Sequence, residues 1–524
     1  MVSSRERQLV FASGLVVFGL VFLVFSRSLA WGFVGWDDVG FVVNNPNLGF
    51  SPEKIGWMFS RSFHGPYQPL AWLSLSLDHA WWGNDPFGYH LTANVLHALT
   101  AVLVFGWIKE LSAYVDKNAG VGRQVLAGMV AALIFGLHPL RVETTSWISA
   151  RRDLLMGFWV VASLWIYHRM AVRNLEGTVP WREMKMLFLC FLMACLGKAS
   201  AVTLALVFCI LDLSVYRRFS GCGGMVRLGT SFREKWGIWL ISLIVGLVAV
   251  VSQKVSGEGM LPWSVYGLEE RLAQSCLSLV IMLRQIFWPV NLSPLVELRI
   301  VPSFCHPVEL TSLIFLLGFS GWVWMLRTKR PWLGAVWWTF IVTSLPTAGL
   351  FQAGLQLVAD RYHYLPSLSW TVLMGTSVLA LPRFSPGSKA LPWLWSLIMT
   401  GILLVLTWGN WCQQGYWRNP ETLWTRVIEI DGKNYYAQVA LGRELMKKGQ
   451  VTEASILFKS ATQSRLDAPE AWLELGRIEL SAGRYSNAVK AFHQVQRNWP
   501  QDAEALKGLE EAQQRLKRGA GSLR

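Results

Sequence analysis

Long apolar runs separated by short basic loops make up the first four hundred residues. Runs able to cross a hydrocarbon core of roughly 30 Å, which takes about 20 helical residues, lie near 9–29, 90–108, 124–138, 154–170, 236–253, 309–326, 332–350, 364–381 and 392–411. The stretch 185–215 holds two shorter runs and reads as a helical pair that turns at Gly197-Lys198. Together these predict an all-α, polytopic membrane body with about eleven crossings.

The pattern changes after residue 420. Setting 434–467 over 468–501 aligns Leu441-Gly442 with Leu475-Gly476, Gly449 with Gly483, Ala454 with Ala488 and Phe458 with Phe492, always 34 residues apart. That is the tetratricopeptide period, in which small residues let paired helices close up and an aromatic fills the groove between them. Trp424 stands one further period before Phe458, so a half repeat precedes the two full ones, and the charged stretch from Asp502 to Arg518 reads as a solubilising cap. The predicted organisation is a membrane domain over 1–411 with a first outside loop at 31–89, a connector and half repeat at 412–433, an α-solenoid of repeats and cap at 434–518, and a flexible tail at 519–524.

Composition supports this division. Residues 1–420 carry 52 charged side chains and the last 104 carry 29. With 53% hydrophobic residues and 29 Trp, the chain is excluded from the soluble, disordered and disulfide-scaffold classes. The net charge of +15 does not imply nucleic acid, because Lys and Arg sit in short loops where they fix topology. Cys190, Cys195 and Cys209 fall in apolar runs, where cysteine behaves as a small hydrophobe, and an odd total of seven without paired spacing gives neither a disulfide framework nor a zinc site.

Positive loops orient the spans. The N-terminus, 109–123, 169–185, 217–235, 327–330 and 383–389 all fall inside on one alternating path, provided 254–308 crosses an even number of times. The segment 271–289, with Arg271, Arg284 and Trp288-Pro289, reads as interfacial or re-entrant; as a full crossing it would invert everything after it. On the first path the N-terminus is cytoplasmic, while the 31–89 loop, the 139–153 loop, the Lys198 turn, 351–363 and the repeats face outside, which in a bacterial inner membrane is the periplasm.

Charged groups in membrane proteins concentrate at functional sites. Asp37-Asp38 follows the first helix, and adjacent side chains point apart, so one of the two faces a site as a general base or metal ligand. His90, Asn94 and His97 share a helical face within an apolar span; they line a cavity or bond between helices. His138, Arg141 and Glu143, then Arg151-Arg152-Asp153, put basic residues outside against the usual bias, as anion binding would. Lys198 and the run Asp360-Arg361-Tyr362-His363 add further candidates.

These segments, in this order, resemble the transmembrane and tetratricopeptide-repeat O-mannosyltransferases of the GT-C glycosyltransferase superfamily, and this chain is similar to a bacterial relative of them. The resemblance rests on Gly35-Trp36-Asp37-Asp38 with Asn45-Pro46, Gln68-Pro69-Leu70, Tyr89-His90-Leu91-Thr92 with Asn94 and His97, and His138-Pro139-Leu140 through Asp153. It continues through Trp288-Pro289-Val290-Asn291-Leu292, Ala359-Asp360-Arg361-Tyr362 and the repeats. It implies a GT-C-like body, a catalytic acid at Asp37 or Asp38, and donor-phosphate contacts from Arg151, Lys198 and Arg361. His90, Asn94, His138, Glu143, Asp153, Asp360 and Tyr362 are the substrate-pocket candidates. The chain departs from the family at Gln68 and Arg141, where His is frequent, and at Lys198-Ala199, where the family has Lys-Glu.

The expected activity is transfer of a sugar from a polyprenyl-phosphate lipid to a protein or glycan acceptor held near the repeats, in contact with membrane lipids and without nucleic acid. No cofactor or metal is required, although the acidic pair could bind one. The alternative is a non-catalytic inner-membrane scaffold whose repeats bind envelope proteins. A transporter lacks support, since the helical body shows no internal repeat.

Overall fold

The computed structural model describes residues 3–63, 65–175, 179–218, 224–255, 262–264, 266–299, 301–351, 354, 356–380, 390–465 and 469–521, the side chains of 224–227, 390–392 and 519–521 excepted. The chain divides into two compact units, one of Met1–Leu292 with Val296–Arg418 and one of Ser293–Leu295 with Asn419–Arg524.

The first unit is helical, with one short antiparallel pairing of Val296–Glu297 and Gln356–Val358 among the described residues. Among the described residues seven helices are long and apolar enough to cross a bilayer: Ser4–Ala30, Pro86–Val115, Ile148–Arg173, Ala199–Tyr216, Trp236–Val255, Pro307–Met325 and Trp393–Tyr416. An eighth follows if Val121–Leu137 and Pro139–Ser146, bent by 60°, form one broken span. The protein is therefore an integral membrane protein.

This is fewer full-length helices than the apolar runs predict. Pro346 supplies no N–H, and the run near 332–350 ends as the 14-residue helix Pro331–Ser344. The run near 364–381 gives Ser367–Thr376 followed by a 3-10 turn. Residues 271–289 form the helix Leu268–Phe287, which is not one of the seven. Arg271 is buried there, donating Nε–H to the Tyr266 carbonyl at 3.0 Å and stacking over Trp263. The basic stretch 383–389 lies outside the described residues.

The predicted turn at Gly197-Lys198 is present. Helix Trp181–Gly197 ends there against helix Arg151–Arg173, and a Cβ on Gly197 would stand 3.0 Å from the Met156 backbone nitrogen. That spacing is tight for any larger residue, and the approach carries Lys198 to the start of the Arg151–Arg173 helix. Near the other end of that helix, roughly 20 Å away along its axis, Tyr167 donates to Asp212, which also accepts from Lys235 at 2.7 Å. Arg218 grips Glu234 with two hydrogen bonds of 2.7 and 2.9 Å. Two buried cations and two buried carboxylates are paired in this network, as burial of charge requires.

The second unit holds helices Pro420–Ile430, Tyr435–Lys447, Val451–Ser464, Pro469–Ser481, Tyr485–Asn498 and Ala503–Gly521. Phe458 and Phe492 are buried in it. A Cβ on Gly442 would lie 2.6 Å from the Phe458 ring, and one on Gly476 2.5 Å from Phe492, so the repeated glycines make room for the repeated aromatics. Gly449 and Gly483 turn the chain between paired helices at φ of +77° and +73°, a region that suits glycine. The last helix continues through Gly521, and 522–524 lie outside the described residues.

Candidate active site

The two adjacent aspartates have different surroundings. Asp38 is fully buried. It accepts hydrogen bonds from the Val34 N–H at 2.9 Å, the Ser149 N–H at 2.9 Å and the Ser149 hydroxyl at 2.5 Å. Burial pushes its carboxyl up to about 7, against the downward pull of these donors. Asp37 is only half-buried, and its charge acts on Arg152. Trp36 stacks on Trp147 with ring centroids 5.0 Å apart, holding the dipeptide against the 139–153 segment.

The adjacent arginines differ in the same way. Successive helical residues are turned by about 100°. Arg151 points into the body, is fully buried, and donates Nη1–H to Asp78 at 2.7 Å and Ser74 at 2.9 Å, and Nη2–H to the Tyr89 carbonyl at 2.7 Å. Thr92 donates to the other Asp78 oxygen at 2.7 Å. Arg152 is 15% exposed and faces the cluster described below.

That cluster draws on distant parts of the chain. Lys198 donates Nζ–H to Asp153 at 2.6 Å and lies 5.5 Å from the Tyr362 ring centre. Arg361 sits 5.0 Å from the same ring and 5.1 Å from the ring of Trp147. Its backbone N–H donates to Glu143 at 2.9 Å, its Nη1 donates to the other Glu143 oxygen, and its Nη2 donates to Gln356 at 2.6 Å. Electrostatic reach joins Arg152 to Asp153, Arg361, Asp37 and Tyr362, and Lys198 to Arg152 and Arg361. Asp37, Arg152, Asp153, Lys198, Glu143, Arg361 and Tyr362 thus form one group.

Other candidates lie apart from it. Asn94 donates to the Phe25 carbonyl at 3.0 Å and the Ser28 hydroxyl at 3.1 Å, tying its helix to the first one. His97 bridges the Tyr364 hydroxyl and the Gly136 carbonyl. His138 accepts from the Leu140 N–H and pairs with the Ile286 carbonyl. His90 is buried on the Pro86–Val115 helix. Asp360 is buried, accepts from Gln413 at 3.4 Å, and is pushed well above the carboxylate range by burial and then by Glu143. Arg141 donates to the Phe135 carbonyl and the Ser367 hydroxyl and stacks on Phe135. Ala199 leaves Lys198 its Asp153 partner, so the missing Glu does not isolate the lysine. Arg152 lies in the basic cluster that the sequence marks for anion binding, but the role there falls by resemblance on Arg151; helical phase at 151–153 was the signal that separates them, and Gln68 stands out in the sequence only as a departure from the family pattern.

Fold and site define a polytopic helical membrane protein with a charged cluster between its segments and a tetratricopeptide array at its C-terminal end. A family model described as tetratricopeptide repeat matches residues 439–503. The sequence is similar to protein O-mannosyl-transferase TMTC3 of Mus musculus, at 22% identity over 96% of this chain and 56% of that protein. It is similar to TMTC4 of Homo sapiens at 23% over 85% and 65%, and to TMTC1 of Homo sapiens at 25% over 84% and 53%. The chain spans between about half and two thirds of the length of these curated relatives. Among solved structures it is similar to ArnT from Cupriavidus metallidurans bound to undecaprenyl phosphate, with 14% identity, 96% of this chain and 88% of that one covered, and a TM-score of 0.37.

Proposed function

We propose that this chain is a GT-C-type glycosyltransferase that moves a sugar from a polyprenyl-phosphate donor to a protein or glycan acceptor on the outer face of a bacterial inner membrane, with the repeats in the periplasm. The observation that carries this reading is the convergence of Lys198 and Arg361, from segments more than 150 residues apart, on Tyr362 beside Arg152, with the charge of Asp37 in reach of Arg152. The sequence relatives named as O-mannosyl-transferases support the same class of reaction.

Asp37 is the half-exposed carboxylate of the pair and takes the role of general base; Asp38 anchors the loop that carries it. The acceptor hydroxyl gives its proton to Asp37 while its oxygen bonds to the anomeric carbon. The bond from that carbon to the phosphate oxygen breaks, inverting the centre, and the electron pair leaves with the polyprenyl phosphate. Base assistance of this kind is worth about two to four orders of magnitude in rate. The phosphodiester becomes a monoester and gains negative charge on the departing oxygen. Lys198 and Arg361, held in place by Asp153 and Glu143, stabilise that charge without reorganising. Arg151, spent on Asp78, Ser74 and Tyr89, acts as a strut.

The test is reconstitution of the purified chain with a panel of polyprenyl-phosphate sugars and a peptide or glycan acceptor, scored by acceptor-dependent release of polyprenyl phosphate. Release by the wild type and its loss in Asp37→Asn is the expected result. No release with any donor, while the repeats bind envelope proteins, would favour the scaffold.

A further inference from the structure

We propose that Arg152 is a third cation on the lipid phosphate, beside Lys198 and Arg361, with Gln68 as its positioning residue. This deepens the transferase reading and rests on it. The argument begins with pairing. Arg151 donates to Asp78, Arg361 to Glu143 and Lys198 to Asp153, each a hydrogen bond from cation to carboxylate. Arg152 has no such bond. Among the described residues its ion-pair contact is Asp153 at 3.7 Å, too long for a hydrogen bond, and its Nη1 donates to the neutral Gln68 side chain at 3.3 Å. A cation that is largely buried gains more from an incoming anion than one already neutralised.

Unused polar atoms gather at the same corner. The Nε of Arg152, the Nε2 of Gln68, the Oδ2 of Asp153 and the Nε of Arg361 are buried without a hydrogen-bond partner. Gln68 is 1% exposed and Asp153 is fully buried, so bulk water does not satisfy these atoms. Three donors beside one acceptor suit a ligand that offers several acceptor oxygens and one hydroxyl, as a sugar phosphate does. The corner also lies in the first turn of the helix Arg151–Arg173, which has no side-chain cap and whose dipole favours an anion. Gln68, fixed at the start of the Pro69–Trp82 helix, holds the guanidinium over this corner.

The full chain in lipid nanodiscs is titrated with radiolabelled undecaprenyl phosphate and, separately, undecaprenol. The wild type is expected to prefer the phosphate. Arg152→Gln should weaken phosphate binding about tenfold and leave the alcohol unchanged. Gln68→Leu should lower the ratio of phosphate to alcohol affinity by a smaller factor, a change that a general loss of folding would not produce. Phosphate preference intact in Arg152→Gln overturns the assignment while the transferase reading stands. A wild type that does not distinguish phosphate from alcohol sinks that reading and this assignment together. If Arg152→Gln is not monodisperse, Arg152→Lys decides: reduced phosphate preference supports the proposal, and wild-type preference overturns it.

Discussion

Asp38 accepts hydrogen bonds from both the backbone N–H and the hydroxyl of Ser149, 111 residues later in the chain. Together with the Val34 N–H, these bonds leave no carboxylate oxygen free of a donor. In Asp38→Asn, whichever side the amide nitrogen takes, it faces a backbone N–H. A buried donor left without an acceptor costs about 1–3 kcal/mol. Thermal unfolding in detergent is therefore expected to show a lower melting temperature for Asp38→Asn and an unchanged one for Asp37→Asn, although only the latter changes the proposed base. Equal melting temperatures would contradict the division of roles.

The same carboxyl gives stability a dependence on pH. Burial lifts Asp38 in the fold to about 7, above its ordinary 3.8. The folded state thus holds the proton more tightly than the unfolded chain, and the stability this contributes is complete below the unfolded value and lost as pH rises through about 7. Melting temperature should fall between pH 5 and pH 8.5, and Asp38→Asn should flatten that slope.

Glu143 and Arg361 are joined by a side-chain bond and a main-chain bond, with the carboxylate fully buried. Removing one member of a buried pair leaves the other uncompensated, at about 3–5 kcal/mol. Both Glu143→Leu and Arg361→Leu should markedly lower the melting temperature. The double substitution should cost less than the two added together, which a double-mutant cycle measures.

In the repeats, Phe458→Ala empties the groove that Gly442 opens, at about 3–5 kcal/mol for a buried aromatic. Limited proteolysis of the full chain should then cut within 434–501 well before the membrane body. An unchanged digestion pattern would show that Phe458 does not hold the paired helices.

The repeat array was the most legible part of the sequence, because a 34-residue period places the same glycine against the same phenylalanine twice. The all-helical membrane body was legible from apolar runs, but not the lengths of its helices: Pro346 breaks a run that hydropathy joins. Two adjacent aspartates announced that only one would face a site, but which one depended on Ser149, far along the chain. The arginines carried the same ambiguity one helical step apart. Asp78 claims Arg151 and leaves Arg152 to the cluster, and no local pattern shows that choice. The pattern leaves Asn94 as a cavity residue or an interhelical bond, and its partner at Phe25, like that of His138 at Ile286, exists only once helices pack.

The most direct measurement is acceptor-dependent release of polyprenyl phosphate from a polyprenyl-phosphate sugar by the reconstituted full chain, compared between wild type and Asp37→Asn at matched melting temperature. Turnover by the wild type with a fall of about two to four orders of magnitude in the variant is the predicted result. Undiminished release by Asp37→Asn would contradict the assignment of the base and the chemistry built on it.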